Sequence, residues 1–262
     1  MKGELLILLS LVIACNACSS SKEPEVVNET EKDSKPKPDS SSTNRETHPL
    51  ETKPGTKPDS KCPNQTLYCK LGNDNTMCKY CGIGSNCNDQ VFNNEMTEAM
   101  KQEILDKHNE LRAKVANGNE DGQPSATNMN KLIWDDELAS NAQLWADQCK
   151  FDHDPNRETI KYNGPIGQNL ATAMKSWNDM EWELSKKIQD WYDEVKDWPA
   201  TNVGAFSTTG ATGVIGHYTQ LVWAETKRVG CGVIYYNDTS PSVKRYPYRK
   251  VQFKLHFGTT LK

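Results

Sequence analysis

Histidine is the side chain most open to chemistry near neutral pH, because modest changes of environment move its proton and either ring nitrogen can ligate a metal. Four histidines lie in patterned sequence: His108 in HNELR (108–112), His153 in FDHD (151–154), His217 in GHYTQLVW (216–223) and His256 in KVQFKLHF (250–257). His217 stands between a glycine and a tyrosine at the mouth of an apolar run, where it can ligate, act as a base or pack. His153 has Asp152 and Asp154 as ready partners. His108 falls on or near an apolar helical face and reads as a packing or hydrogen-bonding residue. His256 falls on the polar side of an alternating strand and is expected to meet solvent. No nucleophile accompanies them. A Gly-x-Ser-x-Gly elbow is absent, and Cys231, in VGCGV, lies in a strand where a buried or bridged cysteine is expected. The CKYC spacing of Cys78 and Cys81 suits a redox or zinc pair, but in a cysteine-dense segment of a secreted chain it reads as structural bridges.

The elements that must hold these side chains follow from periodicity. From Thr97, Met100, Ile104, Leu111 and Val115 recur at helical spacing, with Gly118 as a stop. A second helix is expected over about 135–149 with a stripe of Leu138, Ala142, Trp145 and Cys149. A third, over about 179–197, turns Leu184, Ile188, Trp191 and Val195 inward before Trp198-Pro199 ends it. Burial accounts for Trp191, whereas Trp177, Trp182 and Trp198 either pack or line a groove for an apolar ligand. After a Gly/Thr/Ser-rich loop over 202–216 the period falls towards two, and TQLVWAE (219–225), GCGVIYY (230–236) and KVQFKLHF read as strands. Helices precede strands, so the class is α+β with an antiparallel sheet.

The ends of the chain read differently. Residues 5–14, LLILLSLVIA, form an apolar run suited to a signal peptide and too short to span a bilayer, with a cut expected after Ala17. Residues 18–60 are rich in Lys, Ser, Thr and Pro and cannot bury enough surface to offset ordering, so they are expected to be a disordered extension. Residues 61–95 form a Cys-rich leader too small for its own core, and 96–262 the main domain. Nine cysteines in a secreted chain imply a disulfide framework. Asn28, Asn64 and Asn237 open N-glycosylation sequons. The formal charge of −4, with no dense Lys/Arg stripe, excludes the electrostatic footprint of a nucleic-acid binder.

Together HNELR, GQNLA (167–171) and GHYTQLVW resemble the CAP superfamily of cysteine-rich secretory, antigen 5 and pathogenesis-related proteins. The YCK, TMCKY and LIWDDELASNAQLWADQC segments resemble its insect venom allergen 5-like branch, and the resemblance covers about Tyr68 to Phe257. It implies a disulfide-stapled, three-layer α-β-α sandwich around a central antiparallel sheet, the CAP or SCP domain. It also implies a shallow cleft of two histidines and two acidic residues, carried here by His153, Gln168, Glu194 and His217. Gln168 departs from the acidic pattern, and an amide has neither charge nor titratable proton. His153, His217 and Glu194 still make a candidate set for a divalent metal such as zinc, although no cofactor is required by the reading.

The same resemblance implies bridges Cys69–Cys78 and Cys87–Cys149. Cys62 and Cys81 are additional, and a bridge between them would leave Cys231 as a buried thiol or bonded to another chain. The family's closing CNYxPxGN segment is reduced here to LHFGTTLK. The function implied is that of a secreted, extracellular, non-enzymatic salivary or venom component of allergen type. Its partner would be a host or prey protein or a small apolar ligand such as a sterol or fatty acid, with no nucleic acid, no transmembrane segment and a monomeric state. The alternative is a metal-dependent extracellular protease using the His/His/Glu cleft.

Overall fold

Strand β4 (Arg228–Asp238) divides the fold, because its two faces carry different residues. Val229, Cys231, Val233 and Tyr235 point one way; Gly230, Gly232, Ile234 and Tyr236 point the other. The chain is described by a computed structural model over residues 62, 65–87, 91–162, 166–175, 184–238 and 248–258. The expected signal peptide and extension, Trp177, Trp182, Asn28 and Asn64 lie outside those residues. The sheet order is β1-β4-β5-β3, with β1 at Val91–Asn93, β3 at Gly167–Lys175 and β5 at Tyr248–Gly258, all paired antiparallel. A two-residue strand β2 (Ile133–Trp134) joins the start of β4 in parallel, the one exception to the expected antiparallel pattern among the described strands.

Helix α4 (Asp136–Ala146) covers the glycine face. A Cβ built on Gly230 would lie 2.1 Å from the Ala139 nitrogen, and one on Gly232 2.4 Å from Gln143 Cα, so only glycine admits the helix this close. On the other face lie α3 (Glu98–Ala116), α5 (Leu184–Tyr192) and α6 (Gly216–Leu221). Their core joins Ile104, Leu111 and Val115 to Leu184, Ile188 and Trp191, and to Tyr218, Leu221, Val229, Cys231 and Phe257. Helix, sheet and helix make three layers, so the α+β sandwich expected from the family resemblance is the architecture observed.

Buried Arg112 of α3 braces the α6 side. Its guanidinium donates to five backbone carbonyls, those of Asn130, Leu221, Trp223, Ala224 and Thr226. Burial lowers its pKa to about 10, which still leaves it charged at neutral pH. Three residues of the loop after α6 are thus fixed to the end of the first long helix.

The leader folds as α1 (Gln65–Tyr68), α2 (Thr76–Lys79) and a 3-10 turn at Ser85–Cys87, and then supplies β1. It is closed by Cys62–Cys81 and Cys69–Cys78 and tied to the end of α4 by Cys87–Cys149. Cys231 is buried and belongs to none of these bridges. Cys149 has φ 51°, a left-handed helix exit usually given to glycine, so its bridge holds a backbone state that costs about 1–2 kcal/mol.

Three expectations fail locally. The second helix ends at Ala146, so Cys149, expected on its stripe, lies beyond it. TQLVWAE is not a strand: Thr219–Leu221 completes α6, and Ile215, Tyr218 and Leu221 are buried at helical spacing. The third helix also shortens, with α5 ending at Tyr192 and a 3-10 turn running from Asp193 to Asp197. Its inward stripe holds, with Leu184, Ile188 and Trp191 buried and Val195 packed against the core. Trp198 is likewise buried.

Candidate functional site

Strand β3 is the outer strand next to β5, and the polar residues of the site gather around it. Gln168 lies across from His256 and, through it, from Gly230, the row under α4. The next residue, Asn169, faces the other way, and its Nδ2 donates to the His217 carbonyl at 3.1 Å. Alternation thus directs neighbouring residues to two different groups of site residues.

The first couple is His153 with Gln168. His153 Nδ1 and Gln168 Oε1 are 2.8 Å apart, and the Asp154 backbone N–H donates to the same oxygen at 3.0 Å. The other end of the amide, Nε2, lies 2.7 Å from His256 Nε2. Asp154 is itself buried, accepting from Thr76 Oγ1 of the leader at 2.6 Å and from the Asn156 N–H at 2.9 Å. His153 is exposed, so its ring stands at the surface on a fully bonded support. Its partner is Gln168 rather than the flanking aspartates.

The second couple is Glu194 with His217. Glu194 comes from the 3-10 turn after α5 and reaches the first turn of α6. Its Oε1 lies 2.6 Å from His217 Nδ1, and its Oε2 accepts from the His217 and Tyr218 backbone N–H groups at 3.0 and 3.1 Å. The carboxylate therefore satisfies donors at the helix start and orients the imidazole with one side chain. Trp191 stacks on the His217 ring with centroids 5.8 Å apart and planes 14° apart. The ring is held by a hydrogen bond at its edge and an indole on its face.

Each imidazole spends Nδ1 on its partner and keeps Nε2 for the outside. That arrangement suits binding or proton exchange at Nε2. A metal held by His153, His217 and Glu194 would have to displace the hydrogen bonds that both Glu194 oxygens accept at α6, and the first couple ends in an amide. Among the described residues, no group of three or more His, Cys, Asp or Glu is gathered closely enough to hold a metal ion.

His256 is fully buried and bonded to Gln168, which corrects its expected solvent exposure. The strand alternation was read properly, but the face taken for solvent is covered by α4. His108 is also fully buried: Nδ1 meets the Ile104 carbonyl at 2.7 Å, the ring lies 5.8 Å from Phe257, and Nε2 has no hydrogen-bond partner. Burial above all, with the charge of Arg112 opposing the gain from the Ile104 bond, lowers its pKa to about 4. Asn169, Asp154, Thr76 and Arg112 were missed as supports. All four lay inside quoted motifs, GQNLA, FDHD, TMCKY and HNELR, but nothing local showed which bonds they make.

A groove of about 640 Å³ lies apart from both couples, between the leader and α4, with Tyr68, Met77, Met96, Trp134, Gln143 and Leu144 on its walls. Phe206, half exposed in the loop after Trp198, sits between Trp198 and Trp223 with centroids 6.2 and 6.1 Å away. Asn237, at the end of β4, is partly buried. Among the described residues no helix is long and apolar enough to cross a membrane.

Residues 105–246 match the family described as CAP: Cysteine-rich secretory protein family. Venom allergen 5 of Dolichovespula arenaria is 43% identical over 178 residues, covering 64% of this chain and 85% of the relative. Venom allergen 5 of Vespula pensylvanica is 43% identical over 183 residues with the same coverage. The solved structure of Schistosoma mansoni venom allergen-like protein 4 is 28% identical, with a TM-score of 0.45 over 64% of this chain and 92% of that one.

Proposed function

Because this chain belongs to the cysteine-rich secretory protein family, the CAP family, we propose that it is a secreted, venom allergen 5-like protein that acts by binding rather than by catalysis. The observation that carries this reading is the commitment of Gln168. Its Oε1 is taken by His153 and the Asp154 N–H and its Nε2 by His256, so position 168 supplies no carboxylate to serve as base or ligand beside His153. The target is a host or prey protein, or a small apolar ligand of sterol or fatty-acid type, bound by an extracellular monomer. The groove beside α4 supports the apolar ligand, since about 640 Å³ is within the size range of small-molecule sites. Its test is equilibrium binding of a fluorescent fatty acid, with Ser140→Trp to fill the groove. Saturable binding that the variant abolishes is expected, and equal binding by both proteins would sink the groove as the ligand site.

The second reading is a metal-dependent extracellular hydrolase using His153, Glu194 and His217. The Glu194–His217 couple favours it, because a carboxylate at Nδ1 orients Nε2 as a proton acceptor. Zinc calorimetry on chelator-treated protein, with His217→Ala as control, separates the readings. Binding readings predict no micromolar site; a micromolar site lost in the variant would favour the hydrolase. Gln168→Glu adds a further arm, since activity gained only in that variant assigns the native chain to binding.

A further inference from the structure

A backbone N–H is a donor whatever tautomers surround it. The Asp154 N–H points at one terminal atom of Gln168 at 3.0 Å, so that atom is the amide oxygen and the other is the NH2 nitrogen. Two consequences follow along the chain of bonds. His153 Nδ1, 2.8 Å from the oxygen, must carry a proton to make that contact. His256 Nε2, 2.7 Å from the amide nitrogen, must accept, which places the proton of this buried imidazole on its Nδ1. One peptide group therefore sets the protonated nitrogen of two histidines.

We propose that Gln168, backed by His256, is a tautomer lock on His153 that presents Nε2 of this exposed imidazole at the surface as a lone pair, and so selects a ligand group that donates a hydrogen bond. An ammonium, amide or hydroxyl group fits that atom; a carboxylate or phosphate would meet lone pair against lone pair. His256 is a positioning residue here. It lies in the sheet interior and touches no ligand, and it keeps the amide turned by accepting from its NH2. The ligand class rests on reading the cleft as a binding surface, whereas the proton positions stand without that reading.

Long-range 1H–15N spectra of the histidine-labelled full chain, recorded well above the imidazole titration range, read the protonated nitrogen directly. His153 and His256 are both expected as Nδ1-H forms, and a proton on Nε2 of either overturns the lock. In Gln168→Glu the carboxylate can only accept, so His256 is expected to move its proton to Nε2. In Gln168→Met, His153 is expected to return towards the Nε2-H form usual in water. A residue serving packing alone would move neither proton; unchanged proton positions in these variants overturn the proposal. If a variant fails to fold, the spectra of the native chain still decide. Methylammonium chloride and sodium acetate then probe the ligand class. Methylammonium is expected to shift the His153 Nε2 resonance and acetate to leave it in place. A shift with acetate instead, or with neither salt, overturns the ligand class and leaves the proton assignment standing.

Discussion

The two faces of the sheet are held by different means. On the α3, α5 and α6 side, large side chains fill the space and Ile188, Leu221, Val229 and Phe257 lose all contact with water. That face is stabilised by volume, at about 1.5–3 kcal/mol for each large apolar side chain buried. On the α4 side, Gly230 and Gly232 remove side chains so that helix and strand backbones approach, and a disulfide ties the helix end to the leader. The first face can yield a little to a change in side-chain size. The second has almost no slack.

This difference can be broken most severely at Gly232. Its added Cβ would meet backbone atoms of Gln143 at 2.4 Å, so Gly232→Ala is expected to cost more than about 4 kcal/mol or to prevent folding, read by urea unfolding. A loss below 1 kcal/mol would show that α4 can lift away and that the two faces are alike. The double variant Cys87→Ser/Cys149→Ser opens a loop of sequence separation 62 and is expected to lose about 4 kcal/mol by the chain-entropy account. Hydrogen exchange should quicken in the leader and at the end of α4 while α5 is little changed. Uniform quickening would mean that one face has no separate hold.

The large-core face has its own weakness in acid. His108 is buried neutral, with a folded pKa of about 4 against 6.5 for the ordinary group. Between these values the unfolded chain takes up the proton and the folded one resists it, so stability falls as pH drops from 6.5 towards 4. The full difference is about 3 kcal/mol, present above the unfolded value and gone below the folded one. In His108→Leu this part of the pH dependence of unfolding is expected to vanish, and an unaltered slope would assign it elsewhere. The smallest effect belongs to Glu194→Gln, which keeps one oxygen for the α6 donors but removes the charge beside His217. A loss of about 1 kcal/mol is expected from thermal unfolding. An unchanged melting temperature would mean that the carboxylate contributes nothing to holding the start of α6.

Legibility followed the same division. The stripes of α3 and α4 and the inward residues of the third helix were readable because one wet and one dry side leave a period of 3.6. The apolar residues around LVW misled because α6 is only six residues long, too short for a period to separate helix from strand. His256 misled because a strand buried on both sides keeps its alternation, and nothing local says that the polar face lies under a helix. The site histidines and Glu194 were found through family motifs, while the supporting bonds through Asp154 and Thr76 join segments 78 positions apart and leave no local pattern.

The three disulfides among the described residues have a consequence in time. Cys69–Cys78 and Cys62–Cys81 span 9 and 19 positions, whereas Cys87 waits for a partner 62 positions later. Short loops close at lower entropic cost, and a chain emerging from its N-terminal side offers Cys62, Cys69, Cys78 and Cys81 to an oxidant before Cys149. The leader can therefore mature as a small prefabricated clasp before α4 exists, and Cys87 remains a lone thiol until the helix arrives. In the folded chain the clasp is bound to Cys149 and its Thr76 donates to Asp154, so one small segment is both a covalent tie to α4 and a support of His153.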